Sequence, residues 1–184
     1  MNKIIPFFNT IHVEETSDCS KLIPEILKIK EKNSGVNISN IGGWQSNAYN
    51  YPDHVFMQSI IREIHIPIRK VYDEMGITDD VRLINYWFNV NDNRDYNQFH
   101  DHPFSYFSAC LYVKIPENSG NIVFERPDPL KLCIWSQKNN EHNRGMYIHQ
   151  PVENTIVIFP SFIKHCVEQN MSDESRISIA FNFA

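Results

Sequence analysis

No apolar run in this chain of 184 residues approaches the ~18 needed for a membrane span. The opening stretch, MNKIIPFFNTIH, has no long apolar segment followed by a small-residue cleavage site, so no secretory signal is expected. Cysteine is sparse. Cys19, Cys110, Cys133 and Cys166 are scattered without a CxxC pair, which disfavours a thiolate zinc site. A chain of this length has no need of a disulfide framework, so reduced thiols and a cytoplasmic location are expected. Positive charge is not in excess either. Seventeen basic residues face 22 acidic ones, a formal net charge of −5, and general coating of nucleic acid is disfavoured. Internal repeats, low-complexity tracts and a serine–histidine–acid signature are all absent.

What is present reads as one globular domain. The composition is 42% hydrophobic, 21% charged and 12% aromatic, and a chain of this length buries roughly 70% of its unfolded surface. The first third is helix-bearing. Ser20 is placed to cap a helix carrying Leu22, Ile23, Ile26 and Leu27, with Pro24 moving its start towards Ile23 and Asn33-Ser34-Gly35 ending it. A second helix is expected over Asp53 to Met75. There Phe56, Ile60, Ile61, Ile64, Ile68, Val71 and Tyr72 recur at helical spacing, with a kink expected at Pro67.

After Gly76 the texture changes to short apolar runs separated by polar turns. Arg82–Val90, Phe104–Lys114, Asn121–Glu125, Gly145–His149, Asn154–Phe159, Lys164–Glu168 and Arg176–Phe183 read as strands. The predicted fold is mainly β with N-terminal helices, an antiparallel sandwich or barrel. Residues 1–80 form the helix-bearing part that packs on the barrel, and 81–184 form the barrel itself.

Histidine carries the chemical signal. On an extended chain His100 and His102 share a face while Asp101 points away. Two imidazoles so placed make a metal bite, or alternatively a pair of surface histidines beside a turn. His165 opens a strand near the C-terminus, and Arg176 opens the next one eleven residues later. If those strands are adjacent, both side chains reach one interior. A buried guanidinium there needs an anion, and no acidic residue lies on its strand. The plainer alternative pairs Arg176 with Asp173 or Glu174 at the surface.

Taken in order, Gly42-Gly43-Trp44-Gln45-Ser46, Trp87-Phe88-Asn89, His100-Asp101-His102-Pro103, Ser108 to Val113, Phe159-Pro160-Ser161 and Arg176 to Asn182 resemble a family of short Fe(II)/2-oxoglutarate oxygenases. Its members occur in bacteria and phages. The chain's richness in Asn, Ile and Lys, a mark of A+T-rich coding, fits such an origin. A phage-encoded member would work in the host cytoplasm. The resemblance spans roughly residues 40 to 184.

It implies a double-stranded β-helix, a jelly-roll or cupin-like fold, with Fe(II) and 2-oxoglutarate as cofactors. It also implies roles. His100, His102 and His165 would ligate iron. Arg176 and Ser178 would bind the far carboxylate of 2-oxoglutarate, with Tyr112 in contact with it, and Asn89 would touch its near end. Asn182, in phase with Arg176, is a weaker candidate for the near end. The usual ligand set has two histidines and a carboxylate. Here a histidine stands in the carboxylate position, and Asp101 would ligate only if a bulge turned it inward.

The activity so implied is that of an oxygenase, with hydroxylation as the expected reaction, acting with O2 on an unidentified small-molecule or peptidyl substrate. A homodimer is compatible with the resemblance. The competing classes are a cupin-like metalloenzyme without 2-oxoglutarate and a non-catalytic β-sandwich. Among the remaining residues, Trp44, Trp87 and Trp135 read as core or pocket wall, and His54 and His65 as helix-borne structural groups. The polar loop 136–144, flanked by His142 and His149, is a candidate lid. Arg126 and Arg144 read as surface arginines.

Overall fold

The computed structural model describes residues 9–51, 53–128, 138, 140 and 143–184. Two helices precede most of the sheet structure. Helix α1 (Ile23–Lys32) follows a 3-10 turn at Ser20–Leu22, and α2 (Gln58–Glu74) follows another at Val55–Met57. Ser20 does not cap α1 with its side chain. Instead the Asp18 carboxylate accepts the Ser20 N–H at 2.9 Å, and the α-helix proper starts at Ile23, with Pro24 in its first turn, where a missing N–H costs nothing. Pro67 lies inside α2, which continues through it.

Eleven strands follow one another among the described residues. They are β1 (His12–Glu15), β2 (Asn40–Ile41), β3 (Trp44–Gln45), β4 (Leu83–Asn91), β5 (Tyr96–His100), β6 (Phe107–Lys114), β7 (Ile122–Glu125), β8 (Met146–His149), β9 (Thr155–Pro160), β10 (His165–Val167) and β11 (Arg176–Phe183). They form two antiparallel sheets, ordered β1-β9-β6-β11-β4-β3 and β2-β5-β10-β7-β8. This is the mainly β architecture of a double-stranded β-helix.

The alternation along the larger sheet decides what lies where. On β11, Ile177, Ile179, Phe181 and Phe183 enter one apolar core with Ile26 of α1 and with Ile60, Ile61, Ile64, Ile68, Val71 and Tyr72 of α2. Tyr86, Phe88 and Val90 of β4 and Phe107, Ala109, Leu111 and Val113 of β6 join the same core. The helices therefore cover the outer face of the larger sheet. The opposite face of β11 carries Arg176, Ser178 and Asn182 into the space between the sheets. A second, smaller core of Tyr112, Ile122, Phe124, Val157, Phe159 and Ile163 fills part of that space.

Several boundaries differ from expectation. The segment expected as strand from Phe104 pairs only from Phe107, because residues 101–106 form a loop after the histidines. Strand β5 emerges from a stretch whose Asn, Gln and Asp residues mask its pairing. Short strands β1, β2 and β3 come from the part read as helical; they are too brief to show a period of two. Among the described residues, Cys19, Cys110 and Cys166 are free thiols. Cys133, Trp135 and His142 lie outside the described residues. No helix among the described residues is long and apolar enough to cross a membrane.

The helix–sheet core is the main reservoir of apolar burial, and Ile64 is fully buried at its centre. Ile64→Ala is expected to lower unfolding free energy by about 2–5 kcal/mol. Urea denaturation would show it as a reduced midpoint at unchanged slope.

Candidate metal centre and anion pocket

Strand β10 lies between β5 and β7, and His165 sits directly opposite His100 in the antiparallel register. His102 follows β5 by two residues. Its backbone N–H donates to the Ser161 carbonyl at 3.0 Å, which ties its loop to the turn before β10. The three rings converge, with centroids 4.3 Å apart for His100 and His165, 5.0 Å for His102 and His165, and 5.1 Å for His100 and His102. One ring nitrogen from each lies within 4.8 Å of the others.

Hydrogen bonding sets which nitrogen is free. His100 Nδ1–H donates to the Gln98 carbonyl at 2.8 Å, and His165 Nδ1–H donates to the Ile163 carbonyl at 3.0 Å. A carbonyl only accepts, so each Nδ1 carries the proton and each Nε2 keeps its lone pair. The Nε2 atoms of His102 and His165 are 3.3 Å apart. Two ligands at right angles around a metal about 2.1 Å from each would sit about 3 Å apart, so the donor set fits a metal ion. Asp101 is exposed and stands outside the cluster.

Burial holds all three imidazoles neutral. It lowers the pKa of His100 despite the Gln98 carbonyl and Asp101, which pull the other way. Burial and then the neighbouring His100 bring His102 down to about 3. Burial, followed by His100 and His102, sets His165 well below its ordinary value. Trp87 (5.4 Å from the His102 ring) and Phe124 and Phe159 (5.9 and 4.7 Å from the His165 ring) form the apolar walls responsible.

His165 and Arg176 are not on adjacent strands, contrary to the condition set from sequence. They belong to different sheets and line the same cleft from opposite sides. The reason is topological: the chain crosses between sheets after β10, and β11 inserts between β6 and β4. Arg176 is 1% exposed. The surface pairing with Glu174 does not form, because Glu174 accepts from Lys114 at 2.7 Å. Arg176 Nη1–H reaches only the Gly120 carbonyl, at 3.4 Å, and its Nε–H has no partner. The guanidinium also lies 5.7 Å over the Tyr112 ring, whose hydroxyl is buried and likewise unpartnered. Orphaned donors beside a buried, unneutralised cation define an anion pocket.

The other sequence-predicted residues divide. Ser178 is the register partner of both Asn89 and Tyr112, so the three form one row across β4, β11 and β6. Ser178 and Asn89 line the cleft. Asn182 does not. It lies farther along β11, where it accepts from Ser108 at 2.8 Å and donates to Asn85 at 3.0 Å. Residues not singled out from sequence also line the cleft, among them Ser39, Asn91, Asn97 and Cys110. Asn91 and Asn97 bond to each other at 3.3 Å, and short polar residues in turn-rich segments gave no periodic signal. Trp87 is pocket wall, whereas Trp44 donates from Nε1 to the Asn33 carbonyl at 2.8 Å. His54 bonds the Tyr86 hydroxyl at 2.8 Å, and His65 reaches the carbonyls of Ile61 and Val81. Arg126 pairs with Asp128 at 2.8 Å, and Arg144 lies over the Tyr147 ring.

A double-stranded β-helix with a metal-competent histidine cluster on one sheet, facing an anion pocket on the other, is the frame of a 2-oxoglutarate-dependent oxygenase. Residues 85–182 match the family model described as "Putative 2OG-Fe(II) oxygenase", which is more than half of the chain. The chain belongs to that family, and Fe(II) and 2-oxoglutarate are its cofactors. Solved structures agree on the fold. A prolyl-4-hydroxylase from Pseudomonas putida is similar at 14% identity and a TM-score of 0.67, covering 95% of this chain and 92% of that one. The viral collagen prolyl hydroxylase of Paramecium bursaria Chlorella virus-1, in a 2-oxoglutarate complex, is similar at 15% identity and a TM-score of 0.61, covering 94% of each chain. HygX from Streptomyces hygroscopicus, with nickel and 2-oxoglutarate bound, is similar at 8% identity and a TM-score of 0.58, covering 96% and 83%. No curated protein matches the chain in sequence.

The depressed histidines also set a stability trend. Unfolded histidine titrates near pH 6.5, and all three fold to lower values. Below about pH 6.5 the unfolded chain therefore binds more protons than the native one, and stability falls as pH falls. Metal-free protein is expected to lose urea resistance steadily from pH 7 to pH 5. A flat or rising profile over that window would contradict neutral, buried imidazoles.

Proposed function

We propose that the protein is a hydroxylase that couples decarboxylation of 2-oxoglutarate to oxidation of an organic substrate, with His100, His102 and His165 holding Fe(II). The observation that carries this reading is the opposition of the three histidines and the acid-free Arg176 across one cleft. When bound, Fe(II) and 2-oxoglutarate supply the redox chemistry: O2 is consumed, 2-oxoglutarate leaves as succinate and CO2, and one oxygen atom goes to the substrate.

The chain's own residues bind and orient. His100 and His165 present Nε2 because their Nδ1–H groups are committed to backbone carbonyls. With His102 the ligand set is neutral, one negative charge fewer than the set with a carboxylate. Arg176 anchors the far carboxylate of the co-substrate through its unpartnered Nε–H and an Nη–H. The Tyr112 and Ser178 hydroxyls add donors to that carboxylate, and Asn89 contacts the other end. Trp87, Phe124 and Phe159 keep bulk water from the metal side. The substrate, unidentified and of small-molecule or peptidyl class, enters from the histidine end, where His100 is half-buried.

Anaerobic titration of the apo-protein with Fe(II) and then 2-oxoglutarate tests this reading. A weak visible charge-transfer band is expected only when both are present. His100→Ala and His165→Ala are expected to lose Fe(II) binding. Arg176→Met is expected to keep Fe(II) and weaken 2-oxoglutarate at least ~10-fold, in line with removal of charge-assisted hydrogen bonds. Loss of iron in Asp101→Ala with retention in His102→Ala would overturn the ligand assignment.

A further inference from the structure

Five buried side-chain polar atoms among the described residues have no hydrogen-bond partner: Tyr72 Oη, Tyr112 Oη, Ser119 Oγ, His149 Nε2 and Arg176 Nε. Tyr72 lies in the helix–sheet core. Arg176 lines the cleft, and the other three are tied to it through neighbouring side chains or backbone. Ser119 precedes Gly120, whose carbonyl Arg176 reaches. The Arg176 guanidinium lies 5.7 Å from the Tyr112 ring, and that ring also stacks on His149, with ring centroids 6.3 Å apart and planes at 27°.

His149 arrives there from the opposite sheet. It is the last residue of β8 and the register partner of Ile122. Ile122 belongs to the core between the sheets, so His149 shares that inward face. Its neighbour Ile148 points the other way and is 58% exposed. A buried imidazole nitrogen without a partner costs free energy comparable to a lost hydrogen bond. Three such orphans on touching or stacked side chains, one of them a cation, lose that cost together if a single anion occupies the space among them. Burial lowers the His149 pKa, so the ring is neutral and its one N–H is available to Nε2.

We infer that His149 is a co-substrate-binding residue, donating from Nε2–H to the same far carboxylate that Arg176 and Tyr112 hold. The inference rests on the proposed 2-oxoglutarate reading of this pocket. It makes the carboxylate subsite span both sheets: Arg176 and Tyr112 from the larger, His149 from the smaller. A keto acid that lacks the far carboxylate gains nothing from His149.

The test uses Fe(II)-loaded protein under argon and reads binding, not turnover. Two ligands are compared by calorimetry and by the charge-transfer band: 2-oxoglutarate, and 2-oxopentanoate, which keeps the keto acid but has a methyl in place of the far carboxylate. His149→Phe keeps a flat ring against Tyr112 but has no N–H. It is expected to weaken 2-oxoglutarate roughly 10-fold, as for loss of one hydrogen bond to a charged group, and to leave 2-oxopentanoate unchanged. His149→Gln, whose amide nitrogen can reach the Nε2 position, is expected to recover most of the lost affinity. Wild-type-like 2-oxoglutarate binding by His149→Phe would overturn the inference. So would equal weakening of both keto acids, the signature of a purely structural role. Failure of the wild-type protein to bind 2-oxoglutarate at all would instead overturn the reading of the pocket on which the inference rests.

Discussion

A guanidinium sealed between two β-sheets without a carboxylate to neutralise it is the constraint around which this molecule is organised. Arg176 stands at the start of β11, the strand flanked by β4 and β6 in the larger sheet. Its own strand also carries Ile177, Ile179, Phe181 and Phe183 into the helix-covered core. Shifting the strand by one residue would put the arginine into apolar packing and the isoleucines into the cleft. The alternation that stabilises the fold is therefore the same alternation that aims the cation. Hydrophobic burial on one face holds an electrostatically costly group on the other.

The two halves of the site are built on different principles. The histidine side is a matter of register and tautomer. His100 and His165 are cross-strand partners, and backbone carbonyls hold their protons on Nδ1. Apolar walls keep the rings neutral, so a metal would not compete with protons for the lone pairs near neutral pH. The arginine side is a matter of deficit. Its donors point into the interior with too few acceptors, a shortage that a bound anion would meet. A cleft with a neutral, metal-competent end and a cationic end suits a ligand that carries a chelating group and a carboxylate.

Much of this was legible along the chain. The helical period of Ile60, Ile61, Ile64, Ile68, Val71 and Tyr72 is strong because α2 buries one face only, against a sheet. The His100–His102 spacing marked a shared face, and Asp101 is indeed exposed. The absence of an acidic residue on β11 marked Arg176 as unusual. Less was legible where elements are short or polar. Strands β2 and β3 are two residues each, too brief to carry a period. Asn182 is in phase with Arg176, and phase alone could not reveal that Ser108 and Asn85 had claimed its side chain.

Local residue order determined the secondary structure of the longer elements, the inward or outward sense of each side chain on them, and the class of chemistry. Periodicity and residue type are properties of neighbours in sequence, so they survive without a tertiary structure. What only the tertiary structure decided is which inward faces meet. His165 and Arg176, eleven residues apart, were drawn onto opposite sheets. His149, beside a polar loop in sequence, was carried against Tyr112, 37 positions earlier. Those juxtapositions depend on strand order, which is set by packing of the whole chain and leaves no mark on any short segment of it.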